Sequence, residues 1–116
     1  PFWQLIEKSD GSMHPQLVVP YTLDSNDMRF ANGHGFVNGD DFFHYLKDAF
    51  DVLYAEGGTR PKMLSVGLHC RLIGRPGRFA GLVKFLDYIQ NHERVWVPTR
   101  AQIAHHWAQT HPYQGS

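Results

Sequence analysis

The sequence has the length and composition of one globular domain. Its 116 residues are 42% apolar and 19% charged, with 14% aromatic residues, which excludes a disordered or low-complexity chain. Eleven basic residues balance eleven acidic ones, so neither nucleic acid nor an anionic membrane is a predicted partner.

Cysteine use and hydropathy predict a soluble, cytoplasmic protein. Cys70 is the single cysteine, which rules out an internal disulfide and suits a reducing compartment. No stretch approaches the roughly 18 apolar residues that a membrane span requires. The chain opens on PFWQLIEK, which has neither an initiator methionine nor a signal-peptide pattern. This start predicts that the chain is part of a longer protein.

The first half of the chain predicts a strand, a long loop and a helix. A β-branched run between prolines predicts a strand over residues 16–22. Residues 25–39 are rich in Asn, Asp and Gly, and their length favours a functional loop over a plain connector. Residues 40–58 have apolar side chains at three- and four-residue spacing after an acidic start, which predicts an amphipathic helix.

The second half repeats this alternation. Residues 62–68, KMLSVGL, predict a buried strand, and residues 75–93 predict a helix with Pro76 in its first turn. The apolar positions predicted to form the buried face of that helix are Phe79, Leu82, Val83, Leu86 and Ile89.

The last segment completes a third strand–helix unit. Residues 94–98, RVWVP, predict a strand, and Thr99 and Gln102 have the spacing of a capping box that begins a helix over residues 99–111. This alternation predicts an α/β fold with parallel strands. Three such units are too few to close a barrel of about 250 residues. Residues 1–116 are therefore predicted to be the C-terminal portion of one larger barrel domain, or to need another chain that completes it.

Three polar residues follow the middle predicted strand, at the end that faces ligands in parallel α/β folds. His69 could donate a proton to a leaving nitrogen or take one from water, or could simply hydrogen-bond a carbonyl. Arg71 could clamp a carboxylate, imide or ureido oxygen, or form a surface ion pair. Cys70 lacks the context of a nucleophile and is predicted to be a buried, inert thiol.

Further candidates for substrate binding lie near the start of the chain. Asn26, Asp27 and Arg29 follow the first predicted strand at the same ligand-facing end. Asn and Asp are also ordinary turn formers, so a purely structural role stays open for them. Trp3 could form an aromatic wall for a ligand or belong to the core.

The sequence contains no recognisable metal or nucleotide motif. His105 and His106 are adjacent on the last predicted helix, so they point to different faces and cannot chelate one ion well. The GRPGR segment at residues 74–78 could bind an anion before a helix, but it lacks the Walker and GxGxxG spacings. No cofactor is predicted.

Three long segments resemble the C-terminal part of the allantoinases of the polysaccharide deacetylase (NodB-type) superfamily. They are LVVPYTLDSNDMRF, FFHYLKDAFDVLYAEGGTRPKMLSVGLHCRLIGRPGR and RVWVPTRAQIAHHW. The resemblance implies a deformed (β/α)7 barrel, cytoplasmic purine catabolism, and hydrolytic opening of the hydantoin ring of allantoin to give allantoate. LSVGLH is similar to the superfamily's Leu-x-x-His motif, which implies that His69 is the general acid. Trp3, in PFW, is similar to the tail of an earlier motif.

The resemblance also implies what other parts of the protein supply. The family's catalytic Asp pair and paired histidines come from the N-terminal half, so the general base is expected from that missing barrel half or from a second chain, in a homo-oligomer. The expected activity is that of an allantoinase-like amidohydrolase with a small-molecule substrate and no metal, and this segment alone is expected to be inactive. Two alternatives stay open: a zinc-dependent deacetylase of N-acetyl sugars with its ligands outside this chain, and a non-catalytic barrel fragment that acts as an assembly partner.

Overall fold

The computed structural model describes residues 1–115, which divide into two compact units. One unit comprises Pro1–Pro20 together with the chain from Trp96 onward, and the other comprises Tyr21–Val95. No helix within residues 1–115 combines the length and the apolar character needed to span a membrane. The single domain over residues 1–116 stays a prediction.

Two strands, four helices and one short 3-10 turn make up the described chain. The strands are β1 (Phe2–Glu7) and β2 (Met13–Val18), the 3-10 turn is Asp27–Phe30, and the helices are α1 (Gly39–Gly57), α2 (Cys70–Ile73), α3 (Pro76–Gln90) and α4 (Arg100–Thr110). The helices predicted over residues 40–58, 75–93 and 99–111 are confirmed as α1, α3 and α4.

The strand predictions need correction. β2 ends at Val18 rather than residue 22, and it pairs antiparallel with β1, a strand that the sequence did not predict. Residues 62–68 and 94–98 form no strand, and the only parallel pairing within residues 1–115 is an isolated bridge between Asn26 and Gly67. A parallel ladder requires successive backbone pairs between neighbouring segments, and here one pair of residues meets.

In the first unit, side chains attach the hairpin of β1 and β2 to the C-terminal helix. The indole Nε1 of Trp3 donates to the carbonyl of His111 at 2.8 Å, and its ring meets that of Tyr113 edge-on at 5.9 Å. Arg100 at the start of α4 donates to the carbonyl of Val19. The predicted capping box of Thr99 begins α4, so the local sequence explains where this helix starts.

In the second unit, α1 and α3 enclose the core with residues from the loops beside them. α1 begins at a capping box between Asn38 and Asp41. Phe42 and Leu46 are completely buried at the centre of the core, and burying a side chain of this size contributes on the order of 2 kcal/mol. The full set of buried apolar residues is Phe30, Phe36, Phe42, Leu46, Phe50, Ile73, Phe85 and Ile89.

The buried face of α3 differs in part from the predicted one. Ile89 is buried as predicted, but Gly81 and Phe85 are buried as well, whereas Phe79 and Val83 are exposed. The reason is a close crossing: a Cβ added to Gly81 would collide with the backbone of Gly39 at the start of α1. Because only glycines permit this approach, α3 turns Gly81 toward α1, and the apolar periodicity alone indicated the wrong rotation.

Candidate active site

Hydrogen bonds join residues 25–27 to residues 65–67, two segments that were predicted to lie near the ligand-facing edge. The amide of Asp27 donates to the carbonyl of Gly67 at 3.0 Å, and the amide of Gly67 donates to the carbonyl of Ser25 at 2.9 Å. The hydroxyl of Ser25 also donates to the carbonyl of Ser65 at 2.6 Å. Residues 25–27 are therefore fixed beside residues 65–67, directly before His69.

The carboxylate of Asp27 holds His69 by its ring and by its backbone. One carboxylate oxygen, Oδ1, lies 2.7 Å from the ring Nδ1 of His69. The other, Oδ2, accepts from the amides of His69 at 2.6 Å and Ile73 at 3.1 Å. Asp27 has no exposed surface, whereas the side chain of His69 is 43% exposed. Three hydrogen bonds thus fix a surface imidazole on a buried carboxylate.

This geometry assigns the protons of the imidazole. An ionised carboxylate can only accept hydrogen bonds, so Nδ1 of His69 carries a proton that points at Asp27. The other ring nitrogen, Nε2, is then the atom that can exchange a proton with a ligand. Because a carboxylate also stabilises the imidazolium that forms when Nε2 is protonated, the pair is suited to general acid or base chemistry.

The same carboxylate also holds the backbone of helix α2. His69 occupies the N-cap position of this single turn but forms no capping hydrogen bond with its own side chain. Oδ2 of Asp27 accepts from the amide of His69, just before the helix, and from the amide of Ile73, its last residue. One buried side chain therefore positions both the ring of His69 and the backbone that carries it.

The structure places the side chains of Asn26 and Asp27 inside the chain. Asn26 is 3% exposed, and its side-chain oxygen accepts from the amide of Met28 at 2.9 Å to begin the 3-10 turn. Both oxygens of Asp27 accept hydrogen bonds within the chain. Asn26 therefore shapes the turn and Asp27 orients His69, and the assignment of both residues to substrate binding stays a prediction.

Arg29 lies against two aromatic rings. Its guanidinium carbon is 4.7 Å from the ring centres of both Phe36 and Tyr45. The hydroxyl of Tyr45 donates to Asp24 at 3.0 Å, and this hydrogen bond lowers the pKa of the Asp24 carboxyl and raises the pKa of Tyr45. Arg29 forms no ion pair within residues 1–115. Its assignment to substrate binding stays a prediction.

Arg71 and Cys70 are both exposed on α2. Arg71 has no hydrogen-bond or ion-pair partner within the described residues, so its donors are available to a ligand, and its substrate-binding role stays a prediction. The burial predicted for Cys70 is wrong, because only Ile73 of this surface turn is buried. Trp3 belongs to the other compact unit, and its role as an aromatic wall likewise stays a prediction.

Within residues 1–115 no group of three or more His, Cys, Asp or Glu side chains is placed to hold a metal ion. The zinc-dependent alternative, which places its ligands outside this chain, stays a prediction.

Sequence reasoning named His69 but missed its partner. Asp27 was interpreted as a ligand contact or a turn former, and the hydrogen bonds to the ring and to α2 were not foreseen. A signal was present, because both residues follow segments predicted to be parallel strands. The ends of neighbouring parallel strands meet at one edge of a sheet, so an acid and a histidine there could have been paired.

The bridge between Asn26 and Gly67 is sensitive to a single methyl group. A Cβ at Gly67 would collide with the side chain of Asn26, whereas a Cβ at Gly33 would meet nothing within 4 Å. We expect Gly67→Ala to lower the free energy of unfolding by about 2 kcal/mol, as overpacking of a buried contact does. We expect Gly33→Ala to change it by less than about 0.5 kcal/mol. Denaturant titration of both variants measures the difference, and equal stabilities would contradict a tight bridge.

The chain is similar to deacetylases and to an allantoinase. It is 59% identical over 99 residues to a Schizosaccharomyces pombe protein named "Putative polysaccharide deacetylase". This alignment covers 84% of this chain and 31% of the relative. It superimposes on a "probable Polysaccharide deacetylase" from Pseudomonas aeruginosa with a TM-score of 0.88 and 57% identity, over 97% of this chain and 37% of that one. The PuuE allantoinase structure gives a TM-score of 0.87 and 59% identity, over 97% and 36%. No protein-family model matches the chain.

These likenesses confirm the predicted fold class. The described chain is a small mixed α/β portion of the fold that the deacetylase and allantoinase structures share. It spans about a third of the length of these relatives, which is consistent with the C-terminal part that the sequence motifs predict.

Proposed function

We propose that this chain, a homologue of polysaccharide deacetylases and of the PuuE allantoinase that spans about a third of their length, carries the proton donor of a hydrolase of carbon–nitrogen bonds. The observation that carries the proposal is the 2.7 Å contact between the buried Asp27 carboxylate and Nδ1 of His69. It leaves Nε2, on a partly exposed ring, as the site of proton transfer.

The chemistry follows from that proton. Water adds to an amide carbonyl after a general base, expected from outside these residues, removes one of its protons. The carbon–nitrogen bond of the tetrahedral intermediate then breaks, and the nitrogen takes the proton of Nε2 as it leaves. Because an amide nitrogen is a poor leaving group without this proton, His69 acts at the bond-breaking step. Neutral His69 remains hydrogen-bonded to Asp27 and regains its proton from solvent.

We assign the reaction to the conversion of allantoin to allantoate, as part of purine catabolism in the cytoplasm. Support comes from the 59% identity to the PuuE allantoinase and from the sequence motifs that resemble allantoinases. Arg71 has unpartnered donors and Arg29 lies on aromatic rings, and a planar guanidinium suits the ureido and imide oxygens of this substrate. The remaining barrel portion, from the same chain or a second copy, would complete the site.

Deacetylation of N-acetyl sugars is the second candidate, because two of the relatives carry deacetylase names. Both reactions break an amide bond and both need a protonated leaving nitrogen, so the pair of Asp27 and His69 serves either one. The two candidate functions differ in their substrate, which is allantoin for the first and an N-acetyl sugar for the second.

The test compares two substrates with the complete polypeptide, which here means the protein that also contains the remaining barrel portion. Allantoin and an N-acetylchitooligosaccharide are incubated separately with the protein, with and without a metal chelator, and allantoate and acetate are quantified. We expect allantoate, formed equally well with the chelator present. Acetate alone would replace the proposal with deacetylation, and neither product would favour a non-catalytic assembly partner.

A further inference from the structure

Arg78, in the GRPGR segment, contacts both short elements that carry the catalytic pair. Its Nη1 donates to the carbonyl of Leu72 in α2 at 3.2 Å. Its guanidinium carbon lies 4.8 Å from the ring centre of Phe30. Phe30 is the last residue of the 3-10 turn that begins with Asp27, and Leu72 belongs to the helical turn that follows His69. One side chain therefore ties the two elements together.

Helix α2 depends on such contacts because it is very short. A helix of four residues cannot satisfy its own terminal amides and carbonyls, and it is far below the length that is stable by itself. Asp27 binds the amide of His69, just before the turn, and the amide of Ile73, its last residue, while Arg78 binds the carbonyl of Leu72. Two side chains from outside α2 thus fix the turn that follows His69.

The guanidinium of Arg78 suits this task. Arg78 has no acidic partner within residues 1–115. Its guanidinium contacts the ring of Phe30 and the carbonyl of Leu72 instead. A planar guanidinium can stack on an aromatic face while its edge donates in the plane, whereas an ammonium offers no such combination. The anion-binding role that the sequence suggested for GRPGR stays a prediction.

We propose that Arg78 is a positioning residue for the proton donor: by joining Phe30 to Leu72 it holds the imidazole of His69 on Asp27. The proposal rests on the proposed function. Without Arg78, α2 is free to shift relative to the 3-10 turn, and the hydrogen bond from Nδ1 to Oδ1 lengthens. The effect falls on the chemical step and not on substrate affinity, because Arg78 acts through His69 rather than on a ligand.

The test compares Arg78→Met with Arg75→Met in the complete polypeptide. Arg75 lies in the same segment, and its exposed side chain has no partner among the described residues, so it is the matched control.

Two readouts are taken: kcat and KM for allantoin, and the downfield proton resonance of the His69 Nδ1–H group. For Arg78→Met we expect kcat to fall about tenfold with KM changed less than about twofold, the effect of a small misplacement of a catalytic group. The resonance should weaken or move, and Arg75→Met should match the parent in both readouts.

A folded Arg78→Met protein with the parental kcat and the parental resonance would overturn the proposal. If this variant does not fold, Arg78→Lys is judged by the same readouts, with an expected loss of about threefold in kcat and an altered resonance; parental values there would overturn it equally. The resonance needs no substrate, so the positioning claim is decided even if allantoin is not hydrolysed. Parental turnover in His69→Asn would instead overturn the proposed function.

Discussion

Asparagine in place of His69 is expected to lower kcat for allantoin about 10²- to 10⁴-fold, the contribution of a positioned proton donor. The asparagine amide can still donate to Asp27, so the buried carboxylate keeps a partner and the fold should persist. What is lost is the ionisable Nε2, and with it the proton for the leaving nitrogen. Steady-state kinetics of the complete polypeptide measures the change.

His34→Asn provides the matched control for this substitution. His34 is exposed in the loop between the 3-10 turn and α1, and no contact of its side chain enters the proposed chemistry. It should retain the parental kcat. A His69→Asn protein that keeps kcat within about threefold of the parent, far inside the range expected for an acid catalyst, would remove His69 from the reaction.

Asp27→Asn is expected to lower kcat about 10²- to 10³-fold, because a neutral amide no longer stabilises the imidazolium. Oδ2 accepts from two backbone amides, so the amide oxygen of asparagine must occupy that position. Its NH2 group then faces Nδ1 of His69 and donates to it, which reverses the direction of that hydrogen bond. The ring keeps its place but loses its charge partner. Kinetics at several pH values would show the loss.

The control for Asp27→Asn is Asp48→Asn, an exposed carboxylate on α1. It should leave kcat unchanged. Asp27→Ala measures the structural contribution of the side chain, because the amide of His69 loses its acceptor at a cost of about 1 to 3 kcal/mol, whereas the amide of Ile73 keeps the carbonyl of His69 as an acceptor. If Asp27→Asn had the parental kcat, the carboxylate would only anchor the backbone, and the proposed charge stabilisation would be wrong.

Helices α1, α3 and α4 were predictable because their signals are local, whereas the single turn of α2 was not predicted. Capping residues at Asn38 and Thr99, Pro76 in a first turn, and apolar spacing define each helix within its own segment. Strands depend on partners that the local sequence does not specify. Residues 62–68 have the composition of a buried strand, yet within the described chain they form a strand-like pairing only at Gly67. The rotation of α3 also escaped prediction, since it is decided by the crossing of Gly81 with Gly39.

Of the two residues that form the candidate site, the sequence indicated His69 but not the role of Asp27, because only the first has a local signal. The position of His69 after a segment with the composition of a buried strand is a local signal, and it singled out this residue as a candidate. The role of Asp27 depends on contacts across 42 positions of sequence, which no spacing pattern shows. The exposure of Cys70 likewise escaped prediction, because Cys70 begins a surface turn of which only Ile73 is buried.

The leaving group offers the most direct test of proton donation by His69. The rates of the parent and of His69→Asn are compared on allantoin and on a cyclic amide whose leaving nitrogen bears an electron-withdrawing group. A nitrogen that departs readily as an anion needs no acid. The deficit of His69→Asn should therefore shrink by about tenfold or more on the activated substrate. Equal deficits on both substrates would contradict a proton transfer from Nε2 to the departing nitrogen.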